Sequence, residues 1–139
     1  MPTETKTFSV ESGHDTDIIN ITGQVSKAVA ESKINSGIAT IFVTGSTAGV
    51  TTTEFEPNLN EDLKKAIERI VPSNVEYKHS ETWGDDNGKS HVRSSLFKPS
   101  FTVPFNDKKL LLGAWQQIIL LDFDVPARRR EIIVQIVGD

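Results

Sequence analysis

The first forty residues change their hydrophobic period twice. Polar and apolar residues alternate from Lys6 to Val10, which is typical of a half-buried strand. Asp15 to Ile21 indicates a second short strand. From Thr22 the apolar positions follow a helical period, with one stripe formed by Val25, Ala28, Val29 and Ala30. Gly37 is placed to end this helix in a left-handed conformation.

The middle of the chain predicts two strands and a second helix. Ile38 to Val43 is almost continuously apolar, which is typical of a strand buried on both faces. Small residues from Gly45 to Gly49 predict a turn, and the β-branched run from Val50 to Thr53 predicts an extended segment. A helix begins near Asn58 and ends at Pro72, because proline cannot continue it. Its apolar face consists of Leu59, Leu63, Ala66, Ile67 and Ile70.

The segment after this helix is more polar. Val75 to Lys78 has the composition of a short strand. Residues 80–90 are polar and rich in turn-forming residues, so we expect an exposed loop there.

The last third of the chain predicts strands alone. They cover Phe101–Phe105, Leu110–Leu112, Trp115–Phe123 and Glu131–Val137, in meander order, with a turn at Asn106-Asp107. Two early helices and late strands predict a single α+β domain over residues 1–139, a two-layer antiparallel β-sandwich with two helices. Two helices offer little cover for apolar strands such as Ile118–Leu121, so we also expect burial in an oligomer.

Composition excludes several classes of protein. The chain has no cysteine, which rules out disulfides and thiolate chemistry. The polar segment Met1–Lys6 lacks a signal-peptide pattern, and no apolar run approaches the ~20 residues that cross a bilayer, so we expect a soluble, cytoplasmic protein without a membrane partner. Net charge is −4 with mixed signs, which disfavours nucleic acid as a partner. We interpret the basic run Arg128–Arg130 as a solvated strand end or a subunit contact.

Two of the three histidines, His79 and His91, flank the predicted loop. If the loop folds back, the two imidazoles meet, and they can serve as acid and base or as metal ligands. Glu54 at the end of a predicted strand can add a carboxylate, with Asp85 and Asp86 as alternatives within the loop. No H-E-x-x-H motif is present, so loop-anchoring hydrogen bonds are the other interpretation. His14 stands alone in a turn and is interpreted as a surface residue.

The same loop carries groups that suit a phosphate. Lys89 and Arg93 offer cationic donors, and Ser90, Ser94 and Ser95 offer hydroxyls. The Gly45–Gly49 turn, with Ser46 and Thr47, is a second possible anion-binding segment, although it lacks the lysine and the length of a P-loop. Trp83 either caps the loop or stacks on a ligand ring. Of Gln116 and Gln117, one is expected to face inward and to need polar partners.

Three segments together resemble the YjbQ family, also called the secondary thiamine-phosphate synthase family. They are Gly45–Glu54 (GSTAGVTTTE), Asn87–Leu96 (NGKSHVRSSL) and Leu112–Ile118 (LGAWQQI). The resemblance covers nearly the whole chain. It implies an α+β sandwich assembled as a homotrimer. It also implies a thiamine phosphate synthase activity, which joins a pyrimidine pyrophosphate to a thiazole phosphate and releases pyrophosphate.

Matched position by position, the resemblance implies a site that contains Glu54, His79, Asn87, His91 and Arg93, with Trp115 and Gln116 nearby. Many relatives have histidine where this chain has Lys89. If that histidine is a metal ligand, the change puts a divalent zinc or magnesium ion in doubt; if it contacts phosphate, lysine can replace it.

Three functional hypotheses follow for this site. In the first, Glu54, His79 and His91 are catalytic in a synthase, and the substrate is bound by Ser46, Thr47, Trp83, Asn87, Lys89, Arg93 and Gln116. In the second, His79, His91 and Glu54 hold a metal in a hydrolase or lyase. In the third, the chain is a non-catalytic trimer that binds a small phosphorylated ligand.

Overall fold

The computed structural model describes residues 1–139 and contains two antiparallel sheets. The larger sheet has the order β1-β8-β3-β5-β6. Its strands are β1 (Thr3–Glu11), β3 (Gly37–Val43), β5 (Ser100–Asn106), β6 (Lys109–Leu110) and β8 (Arg129–Gly138). The smaller sheet has the order β2-β7-β4, from β2 (Asp17–Asn20), β4 (Ala48–Thr53) and β7 (Gln117–Asp122). The predicted meander order of the last strands is therefore wrong, because β7 leaves for the second sheet and β8 lies between β1 and β3.

Four helices accompany the sheets: α1 (Thr22–Ala30), α2 (Pro57–Ile70), α3 (Ser80–Trp83) and α4 (Gly88–Phe97). The predicted α+β class is confirmed, whereas the prediction of two helices is wrong. The expected loop at residues 80–90 contains α3 and the start of α4, and residues 75–78 form no strand. Gly37 begins β3 instead of ending α1.

The main core lies between the two sheets. It takes apolar side chains from β3 and β8 of the larger sheet and from β4 and β7 of the smaller one, and α1 closes it with Val25, Ala28 and Val29. The strand periodicity explains which residues enter this core: Ile132, Val134 and Ile136 point inward from β8, while the residues between them are half-buried.

A second core covers the other face of the smaller sheet. Ile119 and Leu121 of β7 pack there against Ile67 of α2 and against Phe123, with Phe97 at the edge. Each residue of the apolar run Ile118–Leu121 is thus buried inside one chain. This strand therefore needs no subunit partner to be buried, contrary to the prediction, because α2 and α4 cover it.

The helix α4 packs against β4 through a face of small and polar residues. Ser90 donates to the Phe123 carbonyl at 2.5 Å, and Ser94 donates to the Ala48 carbonyl at 2.6 Å. Gly88 is required at the start, because a Cβ there would lie 2.5 Å from the Cβ of Tyr77. These contacts fix the residues of the predicted loop onto the smaller sheet. None of the four helices has the length and apolarity needed to cross a membrane.

Candidate functional site

The two histidines that flank the predicted loop are brought together. The ring centroids of His79 and His91 are 4.7 Å apart, with the ring planes at 70°. His79 precedes α3 and His91 lies in the first turn and a half of α4, so the helix start, and not a folded-back loop, creates the pair. Nδ1 of His91 lies 3.1 Å from the Ser46 carbonyl oxygen. Both rings stay partly exposed, which leaves them accessible to a ligand.

The cations near this pair are occupied by carboxylates. Arg93 is 2% exposed and donates to Asp15 Oδ1 at 3.1 Å and to Glu68 Oε2 at 2.8 Å. Its Nε and Nη2 also donate to the Val71 carbonyl, at 3.1 and 2.7 Å. Lys89 forms a salt bridge with the same Asp15. Arg93 and Lys89 therefore hold the end of α2 and the Asp15 turn against α4.

Glu68 is ionised by this arrangement. The backbone N–H and the hydroxyl of Ser73 hold the pKa of the Glu68 carboxyl below its usual value, with a further contribution from Arg93. The pKa direction agrees with the geometry, since Glu68 Oε1 accepts from the Ser73 N–H at 2.6 Å. The cluster is balanced in charge: two cations face two carboxylates.

The Gly45–Gly49 turn is backed by a second buried ion pair. Arg130 donates from Nε to Asp122 Oδ2 and from Nη2 to Asp122 Oδ1, each at 2.8 Å. Arg130 also donates to Thr47 Oγ1 at 2.7 Å. The interpretation of Arg128–Arg130 as a solvated end was wrong for Arg130, which is 7% exposed. Thr47 is buried by these contacts, whereas Ser46 is exposed.

Burial raises the pKa of the Asp122 carboxyl, but hydrogen bonds outweigh that effect. Arg130, the Ser12 hydroxyl and the Asp124 N–H all donate to Asp122, and together they hold its pKa below its usual value. Ser12 Oγ lies 2.5 Å from Asp122 Oδ2. Asp122 is thus a buried anion with a full set of donors.

The start of α4 has unused polar groups. No side chain caps the helix, and its first turn carries no acidic residue. The N–H groups of Gly88 and Lys89 donate to no protein group, and Oδ1 of Asn87 is buried without a partner. Helix N-termini attract anions through such free N–H groups. Trp83 is 77% exposed, so it does not cap the segment hydrophobically.

Glu54 and Gln116 lie away from the histidine pair. Ser46 precedes β4 and Glu54 follows it, and six residues of strand span roughly 20 Å. Glu54 lines a groove with Trp115 and Phe55, while Gln116 donates to Thr52 Oγ1 at 3.2 Å. Within one chain the structure therefore divides the sequence-predicted site between the two ends of β4.

The residues do not form a metal centre within one chain. No group of three or more His, Asp or Glu side chains is arranged to hold a metal ion. Two imidazoles at the His79–His91 contact are fewer than the three protein ligands usual in a catalytic zinc site. We therefore derive no step through a metal.

Sequence reasoning missed Asp15, Asp122 and Arg130. Arg130 and Asp122 are eight positions apart but lie on strands of different sheets, so the periodicity of either strand does not relate them. One signal was present: Asp122 and Asp124 interrupt an apolar strand end, and a buried acid needs a cationic partner. The following arginine run offered that partner.

The fold and the site define an α+β protein of two antiparallel sheets, with a partly exposed histidine pair supported by buried ion pairs. Residues 6–139 match the family model described as "UPF0047 protein YjbQ-like". The chain therefore belongs to the YjbQ/UPF0047 family.

Individual relatives match nearly the whole chain. A UPF0047 protein from Methanocaldococcus jannaschii is 36% identical over 133 residues, covering 95% of this chain and 93% of that protein. YugU of Bacillus subtilis is 30% identical over 135 residues, covering 96% and 98%. Among solved structures, a YbjQ-like protein of unknown function from Sulfolobus solfataricus has a TM-score of 0.94 at 31% identity, with 99% of both chains covered. A YjbQ/UPF0047 protein from Clostridium acetobutylicum has a TM-score of 0.86 at 34% identity, covering 95% and 99%.

Proposed function

We propose that the chain is a small-molecule transferase whose reactive centre is the His79–His91 pair. The observation that carries this proposal is the 4.7 Å contact between two partly exposed imidazoles, one of which is oriented by the Ser46 carbonyl. Imidazole is the side chain best suited to proton transfer near neutral pH. Thiamine phosphate synthesis, implied by the family resemblance, is the candidate reaction.

The chemistry of this reaction needs charge stabilisation more than a strong base. A thiazole ring nitrogen attacks the carbon that bears the pyrophosphate, the C–N bond forms, and the C–O bond breaks. The electron pair of that bond leaves with pyrophosphate. Hydrogen-bond donors aimed at the leaving oxygens lower the barrier. Histidines in their protonated form and the free N–H groups of Gly88 and Lys89 are donors of this kind at one place.

Lys89 and Arg93 have another role in this proposal. Their charges already face Asp15 and Glu68, so they are poor candidates for direct phosphate contacts. We propose that they hold α4 in position under the histidine pair.

A single-turnover assay tests the proposal. The protein is given pyrimidine pyrophosphate and thiazole phosphate, with and without Mg²⁺ or Zn²⁺, and thiamine phosphate is quantified. We expect product from the wild type, a loss of at least about 100-fold for His91→Ala, the lower end of general acid–base contributions, and no loss for His14→Ala. His14 is the matched control because it is an exposed histidine outside the pair. Equal turnover by His91→Ala and the wild type would contradict the proposal.

A non-catalytic protein that binds a small phosphorylated ligand is the second candidate. The free N–H groups at the start of α4 support it, because they can hold a phosphate without any reactive side chain. This candidate predicts that thiazole phosphate raises the melting temperature in a saturable way without any turnover.

A metal-dependent hydrolase or lyase is the third candidate. It needs a third ligand beside His79 and His91. Glu54 could be that ligand only if it came from a neighbouring copy of the chain, because within one chain it lies at the other end of β4. Elemental analysis of protein purified without added metal tests it. About one zinc per chain supports this candidate, and its absence argues against it.

We also propose that the chain forms a homotrimer. Large apolar side chains are exposed, with Trp115 at 76% in the groove beside Glu54 and Leu96 at 57% on α4. In such an assembly Glu54 and Gln116 can approach the histidine pair of a neighbouring copy. Light scattering coupled to size exclusion should give three times the 15.3 kDa chain mass; a monomer mass would contradict the trimer.

A further inference from the structure

We infer that the buried Arg130–Asp122 pair is a positioning device for His91. Acting through Thr47, it holds the turn whose Ser46 carbonyl keeps the proton of neutral His91 on Nδ1. Nε2 is then left as the ring nitrogen with a free lone pair. The inference rests on the proposed function, because it assigns how one histidine of the pair is prepared for proton transfer.

The device begins with a rigid ion pair. Arg130 and Asp122 are 7% and 0% exposed, and two parallel hydrogen bonds of 2.8 Å join them. This fork geometry restricts the guanidinium to one plane. A buried ion pair seldom stabilises a fold more than apolar residues of the same size would, so its presence here is consistent with a role in geometry.

The guanidinium then fixes the turn after Ser46 and lies close to it before Ser46. After Ser46, Arg130 Nη2 donates to Thr47 Oγ1 at 2.7 Å, and Thr47 donates in turn to Asp124 Oδ2 at 3.3 Å. The Thr47 carbonyl accepts from the Phe123 N–H at 2.9 Å. Before Ser46, Gly45 has φ +108°, and a Cβ there would lie 2.9 Å from Arg130 Nη1. The exposed Ser46 therefore lies between Thr47, which is bonded to Arg130, and a glycine whose side-chain position this arginine leaves no room to fill.

The last step is the bond to the imidazole. The Ser46 carbonyl oxygen lies 3.1 Å from His91 Nδ1. A carbonyl accepts hydrogen bonds and does not donate them, so Nδ1 must carry the proton. In neutral imidazole the other nitrogen then has the lone pair. The hydrogen bond thus selects Nε2 as the nitrogen that takes up a proton and, once protonated, donates it toward the leaving pyrophosphate. The T-shaped contact with His79 restricts the ring plane.

Nitrogen NMR of the histidine side chains tests the inference without any turnover assay. The ¹⁵N shifts of Nδ1 and Nε2 report the tautomer of neutral imidazole, and His14→Gln and His79→Gln variants assign the signals. We expect wild-type His91 in the Nδ1–H form. A wild-type His91 in the Nε2–H form, or as an even mixture, would overturn the inference.

Two variants test the role of the ion pair itself. Thr47→Val keeps the shape and removes the acceptor for Arg130, and Arg130→Lys removes the fork. In folded protein each should move His91 toward a mixture of tautomers and lower kcat at least about tenfold, with KM changed less than about twofold. Arg129→Lys is the matched control, since Arg129 is exposed in the same arginine run.

Unchanged His91 shifts in either folded variant would refute the positioning role. Because this test reads tautomers, a lack of thiamine phosphate synthesis refutes the proposed reaction and leaves this result standing. Should Thr47→Val fail to fold, Arg130→Lys and the wild-type tautomer still decide the question.

Discussion

Replacing Arg93 by methionine should damage the fold far more than any ligand contact would explain. The guanidinium is buried and bonds to Asp15, to Glu68 and twice to the Val71 carbonyl. Methionine fills a similar volume and leaves a buried carbonyl and a partly buried carboxylate without these donors. Breaking a buried ion pair from one side destabilises a protein by about 3–5 kcal/mol. Glu68 is half-exposed, and Lys89 keeps its salt bridge with Asp15 in the variant. We therefore expect a loss of stability at the lower end of this range, about 3 kcal/mol.

Two quantities are measured by circular dichroism: the free energy of unfolding, from urea titration, and the melting temperature, from heating. A change of about 3 kcal/mol should lower the melting temperature by roughly 10 °C in a domain of this size. Arg69→Met is the matched control, because Arg69 is exposed on α2 and should change stability by less than about 0.5 kcal/mol. If Arg93→Met unfolds within 1 kcal/mol of the wild type, the structural role is refuted and a ligand contact becomes the better explanation.

Two further predictions concern charge and packing. Since the folded pKa of Asp122 lies below its ordinary value of 3.8, the stability from its ionised form is present above that pH and is lost as pH falls through the folded pKa. Asp122→Asn should therefore be about 3–5 kcal/mol less stable at pH 7 and approach the wild type below pH 3.8, as measured by urea unfolding at several pH values; a difference independent of pH would contradict this. Gly88→Ala should lower the melting temperature, because the new Cβ would lie 2.5 Å from the Tyr77 Cβ. Gly23→Ala is the control and should not lower it, because a Cβ there meets no atom within 4 Å. Calorimetry of both variants checks this, and equal melting temperatures would contradict it.

The strands could be predicted from the sequence because their periodicity matches the way they are buried. Residues 132–136 alternate between inward and half-exposed positions. The prediction that residues 38–43 form a strand is also confirmed, but the prediction that both faces are buried is wrong, because Ile38 and Phe42 are exposed on the outer face of the larger sheet. The order of strands within the sheets could not be predicted, since it depends on contacts between distant segments such as β1 and β8.

The helix α4 was not predicted, because its buried face is polar and its exposed face carries apolar residues. Its buried residues are Gly88, Ser90, Arg93 and Ser94, while Val92 and Leu96 face outward. A search for an apolar stripe therefore finds none on the buried face. Helix α3 is one turn long, and such a short element has almost no pattern of its own.

The candidate site was predicted in part. That His79 and His91 meet was expected from their positions around one polar segment, and the 4.7 Å ring contact confirms it. The sequence did not reveal that Lys89 and Arg93 face Asp15, because 74 and 78 positions separate them. It also could not separate Glu54 from the histidines, since that depends on the direction in which β4 runs.

We propose that the histidines of this segment take part in the reaction, whereas its cations hold the helix α4 in place. The most direct test compares turnover of Lys89→Met and His91→Asn in one thiamine phosphate synthesis assay, with both variants folded and well below their melting temperatures. We predict that Lys89→Met is less stable but turns over within about threefold of the wild type, while His91→Asn keeps its stability and loses at least about 100-fold in turnover. The reverse pattern, with turnover lost for Lys89→Met and kept for His91→Asn, would contradict the account.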